Sequence, residues 1–211
     1  MSVIKKVEQA VSHPEQRVAV FIDVQNMYYS AKSLFSSKVN FGNIVSGAVG
    51  NRKLIRATAY VVSTESGEEQ PFFQALHGLG IEAKDRPLQI FFGGAKKADW
   101  DVGITVDAIR MSPSVDVIVL VSGDGDFIPL VEYLQNRGKQ VEVCAFRGTA
   151  SSKLVEIVDG FTDLGADKKK YLIFDRKGHT PTFKRMGIGS AARPELNKPA
   201  EQSKKSARIE G

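Results

Sequence analysis

Two runs of five apolar residues, far apart in the chain, limit its fold more than any other feature: Val18-Ala-Val-Phe-Ile22 and Val117-Ile-Val-Leu-Val121. Successive side chains of a strand point to opposite faces, so an unbroken apolar run demands burial on both. Such strands lie inside parallel sheets with a helix layer on each side. The remaining pattern agrees. Val24 to Phe35 reads as a helix with Asn26 in its first turn, and a short helix covers Phe41 to Val49. Lys53 to Val62 is strand-like, and Glu68 to Leu79 is a helix stopped by Gly80. Ile81 to Phe92 is extended but broken by Pro87, which predicts a short strand and then a hairpin-like excursion. Trp100 to Met111 is a helix with Val102, Val106 and Ile109 on one face. Phe127 to Asn136 is a further helix, Gln140 to Phe146 the last parallel strand, and Ser151 to Asp159 a closing helix. Strands separated by helices predict right-handed βαβ units and a doubly wound sheet of about five strands in the order 3-2-1-4-5.

Composition sets the frame. The 211 residues, 42% hydrophobic and 25% charged, suit one domain over 17–165 with extensions at 1–16 and 166–211. The net charge of +5 is concentrated late in the chain, from Lys168-Lys-Lys170 through Arg193 to Arg208. Two readings of this basic C-terminal extension stand: a partly disordered solubilising tail, or an electrostatic arm for phosphates. Tyr171 to Phe174 suits an edge strand. The single Cys144 sits in an apolar run and reads as a small buried hydrophobe. A polar start from Met1 to Gln16 and no apolar stretch of membrane length predict a soluble, cytoplasmic protein with no membrane partner.

Both apolar runs lead into aspartates. Asp23 follows the first, and Asp124 and Asp126 follow the second in Ser122-Gly-Asp-Gly-Asp-Phe127. In the order 3-2-1-4-5 these strands are neighbours at the switch point, where ligands bind beyond the carboxyl ends. Asp99 and Asp101 flank Trp100 at the mouth of the next helix. Carboxylates gathered without cations repel one another, so a divalent ion is the natural reason for the cluster, and all-oxygen ligands favour Mg²⁺ or Mn²⁺. Asp23, Asp101 and Asp126 each have a second reading as helix caps, which leaves Asp99 and Asp124 unexplained. Gly123 and Gly125 would let the backbone turn at positive φ. Asp107, two turns along its helix, would meet substrate or a second ion rather than share one with Asp101. Asn26 would orient Asp23 or bond local backbone. Trp100 would pack or stack a base, and Lys97 and Arg147 would contact phosphates or simply face solvent or ion-pair.

Other chemistries lack their residues. His13, His77 and His179 have no zinc-ligand spacing, and no phosphate-binding glycine loop or Gly-x-Ser-x-Gly elbow is present. Phe21-Ile-Asp-Val-Gln-Asn26, Lys97-Ala-Asp-Trp-Asp-Val-Gly-Ile-Thr-Val-Asp107 and Val121-Ser-Gly-Asp-Gly-Asp-Phe-Ile-Pro-Leu130 together resemble the NYN domain, a branch of the PIN-like nucleases, and within it the bacterial LabA-like group. Ser152 to Leu164 is similar to that group's closing segment. The resemblance implies a Rossmann-like three-layer α/β/α fold and a metal-dependent ribonuclease centre. It matches Asp23 and Asn26 to the first motif, Asp101 to the helix-start acid, and Asp124 with Asp126 to the later pair. Lys97-Ala98 stands where many relatives have Lys-Gly. The expected partner is single-stranded or structured RNA, with a homodimer left open. The alternative is a non-catalytic RNA- or protein-binding regulator that keeps the fold.

Overall fold

A computed structural model of the chain describes residues 12–63, 69–87, 89–90, 96–97 and 99–174, with the backbone alone at 89–90 and 96–97. In chain order the elements are β1 (Arg17–Asp23), α1 (Val24–Phe35), β2 (Lys38–Val39), α2 (Phe41–Val49), β3 (Lys53–Ser63), α3 (Gln70–Gly78) and β4 (Glu82–Pro87). There follow β5 (Gln89–Ile90), β6 (Lys96–Lys97), α4 (Asp101–Met111), β7 (Val117–Val121) and α5 (Ile128–Asn136). The last are β8 (Gln140–Ala145), α6 (Ser152–Ile157), β9 (Gly160–Asp163), α7 (Lys168–Tyr171) and β10 (Leu172–Ile173). The central sheet has six strands in the order β4-β3-β1-β7-β8-β9, every neighbouring pair parallel. Right-handed crossovers then put α1, α2 and α3 on one face and α4, α5 and α6 on the other, a three-layer α/β/α fold.

The two apolar runs are the centre of that sheet. Residues 18–22 pair in register with 117–121, Val18 opposite Val117 and Ile22 opposite Val121, and every side chain in both is buried. Phe127, Phe146, Leu134, Ile104 and Met27 close the core above and below them. Burying each such side chain contributes roughly 1.5–3 kcal/mol, so the β1–β7 pair is the most costly place to disturb.

Several expectations are met and others are corrected. The excursion after Pro87 is a hairpin in which Gln89 and Ile90 pair antiparallel with Lys97 and Lys96. The edge strand after Tyr171 is β10, which pairs antiparallel with β2 and so returns residues beyond 165 to the domain. β8 is not the last parallel strand, because β9 adds a sixth alongside it. On α4 the buried residues are Ile104 and Ala108, whereas Val102 is 72% exposed. The helix turns the Val102 and Val106 side outward because Trp100, Ile104 and Ala108, each one turn apart, are the ones held against the sheet. Residues 175–211, which carry most of the basic extension, and 1–11 lie outside the described residues. Among those described, no helix is long and apolar enough to cross a membrane.

Candidate metal centre at the carboxyl edge

Asp23 is the last residue of β1, and its side chain does two structural jobs. One oxygen accepts from the Asn26 N–H at 2.9 Å, capping α1, and the other accepts from the Ser122 hydroxyl at 3.3 Å. Ser122 in turn accepts from the Asp124 N–H at 3.3 Å, and the Asn26 side-chain oxygen accepts from the Gly123 N–H at 3.1 Å. The loop after β7 is thereby stitched to the end of β1 from both sides. Asp124 caps a single 3₁₀ turn, Gly125–Phe127, by accepting from the Asp126 N–H at 3.0 Å. Gly123 and Gly125 do not have the positive φ expected of them. What they supply is room: a Cβ on Gly123 would lie 2.9 Å from the Ala150 Cα, and one on Gly125 would lie 3.0 Å from the Ser151 hydroxyl. The Ser151 N–H donates to the Gly123 carbonyl at 2.9 Å, which fixes that close approach.

On this frame, oxygens of Asp101, Asp124 and Asp126 lie within 4.8 Å of one another. Asp101 opens α4, yet Trp100 holds the cap position and Asp101 forms no cap hydrogen bond, so the capping reading fails for it. It fails for Asp126 as well, whose N–H is the group being capped. Asp23 stands outside the tight group, but among the neighbouring carboxylates it weighs most on Asp101. Burial first, then the charges of Asp23, Asp124, Asp99 and Asp126, push the Asp101 carboxyl up to about 6. Asp23, 9% exposed, is also raised, chiefly by burial, against the lowering pull of its hydrogen bonds from Asn26 and Ser122. Among the described residues no Lys or Arg is ion-paired with Asp23, Asp101, Asp124 or Asp126.

The donor set suits a hard cation. Oxygens around one small ion at about 2.1 Å can be up to roughly 4.2 Å apart, so a contraction of about half an ångström would close this group on it. A divalent charge would offset the repulsion among these carboxylates.

The other expected site residues are placed differently. Asn26 acts on Gly123, joining the two strand ends rather than facing outward. Asp107 accepts from the Tyr60 hydroxyl and the Lys84 ammonium, each at 2.7 Å. Burial alone would raise it, but those two donors leave it below the usual carboxylate range, and it serves as a strut between α4 and the β3–β4 strands. Trp100 is a packing residue: its indole N–H donates to the Val61 carbonyl at 2.9 Å and its ring meets Tyr60 edge-on at 5.2 Å. Arg147 lies over the Phe161 ring at 4.6 Å and 3.8 Å from Asp163, so its charge is shared with a surface partner. The Lys97 side chain lies outside the described residues, and Asp99 lends charge to the Asp101 site from two residues away. Sequence reasoning missed Ser122, although a hydroxyl directly between a buried strand and an Asp-Gly-Asp run is the signal that marks it. It also missed Arg86, which lies over the Trp100 ring at 4.7 Å.

The sequence profile of the NYN domain matches residues 17–165, the span that holds the sheet and all the aspartates above. The chain belongs to the NYN domain family. NYN domains form a branch of the PIN-like nuclease superfamily, whose members generally use divalent metals and bind nucleic acid. This NYN chain is 28% identical over 160 residues to Low amplitude and bright protein LabA of Synechococcus elongatus, covering 70% of the chain and 83% of LabA. It is 28% identical over 160 residues to an uncharacterised protein of Methanocaldococcus jannaschii, covering 72% of the chain and 57% of that protein. A crystal structure of a protein of unknown function from Vibrio parahaemolyticus superposes with a TM-score of 0.70 at 34% identity, over 77% of this chain and 99% of that one.

Proposed function

We propose that the protein is a metal-dependent ribonuclease that hydrolyses phosphodiester bonds of RNA in the cytoplasm. The observation that carries this reading is the group of Asp101, Asp124 and Asp126, backed by Asp23 and without a Lys or Arg ion pair among the described residues, at the carboxyl edge of a PIN-like sheet. Asp101, Asp124 and Asp126 would hold Mg²⁺ or Mn²⁺ directly, with Asp23 beside them and Asp99 as an auxiliary acid. When bound, such an ion acidifies a water and neutralises charge on the scissile phosphate. The chain's own part is positional. Ser122 and Asn26 hold the Asp124 loop against β1, so the carboxylates meet the substrate already oriented. The raised pKa of Asp101 and of Asp23 means that protons leave as the ion arrives, so metal loading weakens as pH falls through about 6.

The test is cleavage of labelled single-stranded and structured RNA with Mn²⁺, with EDTA, and with Asp124→Asn. Cleavage should need the metal and fall by more than about a hundredfold in the variant, since even a group one step behind a metal ligand is worth about 10- to 100-fold. Equal activity in wild type and variant after rigorous purification would remove the assignment. RNA binding without cleavage would favour a regulator that keeps the fold.

A further inference from the structure

Arg86 is the residue that this centre does not yet account for. It follows Lys84 by two in β4, so both side chains project to the same face of the sheet, the one that carries α4. Lys84 is consumed by Asp107. Arg86 is not paired with any carboxylate among the described residues. Its guanidinium lies 4.7 Å from the Trp100 ring centre, and one of its nitrogens donates to the Asp99 carbonyl at 3.1 Å. Asp99 and Trp100 are the two residues that precede Asp101.

The platform beneath it is fixed in place. Trp100 is locked by its hydrogen bond to Val61 and its edge contact with Tyr60. The ring also rests on Gly103, where a Cβ would come within 2.6 Å of it, so only glycine leaves the space. A guanidinium on an indole face gains cation–π attraction without losing charge, and the ring fixes a long side chain that would otherwise be costly to order. The Asp99 carbonyl takes one donor, and among the described residues the other edge of the planar fork has no hydrogen-bond partner. An exposed fork with no carboxylate partner among the described residues, next to the residues that lead into Asp101, matches two oxygens of a phosphate.

We propose that Arg86, seated on Trp100, is a phosphate-binding residue of the substrate site, holding the backbone of a single-stranded RNA next to the bond positioned at Asp101, Asp124 and Asp126. The proposal rests on the ribonuclease reading. It gives Trp100 a role other than stacking a base: the ring is the seat of the arginine. Arg86 binds backbone, so its contribution is the same for every base sequence.

The experiment is fluorescence anisotropy of a labelled single-stranded RNA with the full chain in Ca²⁺, an oxygen-seeking ion able to fill the acid cluster, across a salt series. Arg86→Ala should weaken binding about tenfold, equally for several sequences, and should reduce the slope of log affinity against log salt by about 0.7. Arg86→Lys keeps the charge and should restore the slope, while losing the two-pronged contact and so part of the affinity. Thermal unfolding of both variants should match wild type, since the side chain is exposed. A wild type that binds RNA, together with an Arg86→Ala variant of unchanged affinity and slope, would overturn the role of Arg86 alone. A wild type that does not bind RNA at all would overturn the ribonuclease reading together with it.

Discussion

Asp116 and Asp101 are the same residue type at opposite ends of one sheet, and their surroundings push them in opposite directions. At the amino edge, Asp116 accepts from the Arg17 side chain at 2.8 and 3.1 Å and from its N–H at 2.8 Å, and Arg17 draws its pKa down to about 2. Lys53 pairs with Glu15 there, and the buried guanidinium of Arg52 grips both oxygens of Glu142 at 2.7 and 2.9 Å. At the carboxyl edge, Asp101 is driven up to about 6 by burial and by the acids around it. Among the described residues three cations there lie over rings, Arg86 over Trp100, Arg147 over Phe161 and Lys168 over Phe35, and Arg147 also pairs with Asp163. One edge is neutralised for stability. The other gathers Asp101, Asp124 and Asp126 without a Lys or Arg ion pair to them among the described residues, a local cost of the kind that functional sites carry.

The comparison breaks first where pairing is tightest. Glu142→Ala leaves the buried Arg52 charge unpartnered and should cost about 3–5 kcal/mol in chemical denaturation, with metal affinity unchanged in the folded protein. A loss below about 1 kcal/mol would mean that water already screens the pair. At the opposite edge, Ser122→Ala removes the hydroxyl that joins Asp23 to the Asp124 backbone, and Mn²⁺ affinity by calorimetry should fall about 10- to 100-fold.

Asp101→Asn sharpens the contrast through pH. A carboxyl raised in the folded state contributes stability that is full below its ordinary 3.8 and is lost as pH rises through about 6. The metal-free variant should therefore melt above wild type at pH 7.5, and the advantage should vanish as the pH approaches 4. An advantage that persists at low pH would assign it to packing rather than charge. The smallest effect belongs to Arg17→Ala. Loss of that exposed pair should barely move the urea midpoint, and should move it still less in high salt, when the variant and wild type are compared.

The sequence makes legible what depends on long apolar runs. α1 and α2 occupy 24–35 and 41–49, the bounds read from the pattern, and the neighbouring strands β1 and β7 follow from their two-sided burial. β9 was not legible, because Gly160-Phe-Thr-Asp163 has too few apolar residues to signal a strand and pairs only because β8 offers an edge. The acid cluster was readable because its members end strands or open a helix. The roles of Asp107 and Arg86 were not, since each is decided by a partner on another element: Tyr60 and Lys84 for one, Trp100 for the other. The glycines of the Asp-Gly-Asp loop are needed, but not for positive φ. Their need is the approach of Ala150 and Ser151, a contact invisible in local sequence.

The most direct measurement is the thermal midpoint of the full chain at pH 7.5 across a Mn²⁺ titration, for wild type and the Asp101→Asn/Asp124→Asn pair, with Arg17→Ala as the amino-edge control. An ion that binds only the folded state adds about 2.7 kcal/mol at a hundred times its dissociation constant. Wild type and Arg17→Ala should both rise with Mn²⁺, and the double variant should start higher and stay level. A flat wild type, or an equal rise in the double variant, would contradict a metal centre at the carboxyl edge.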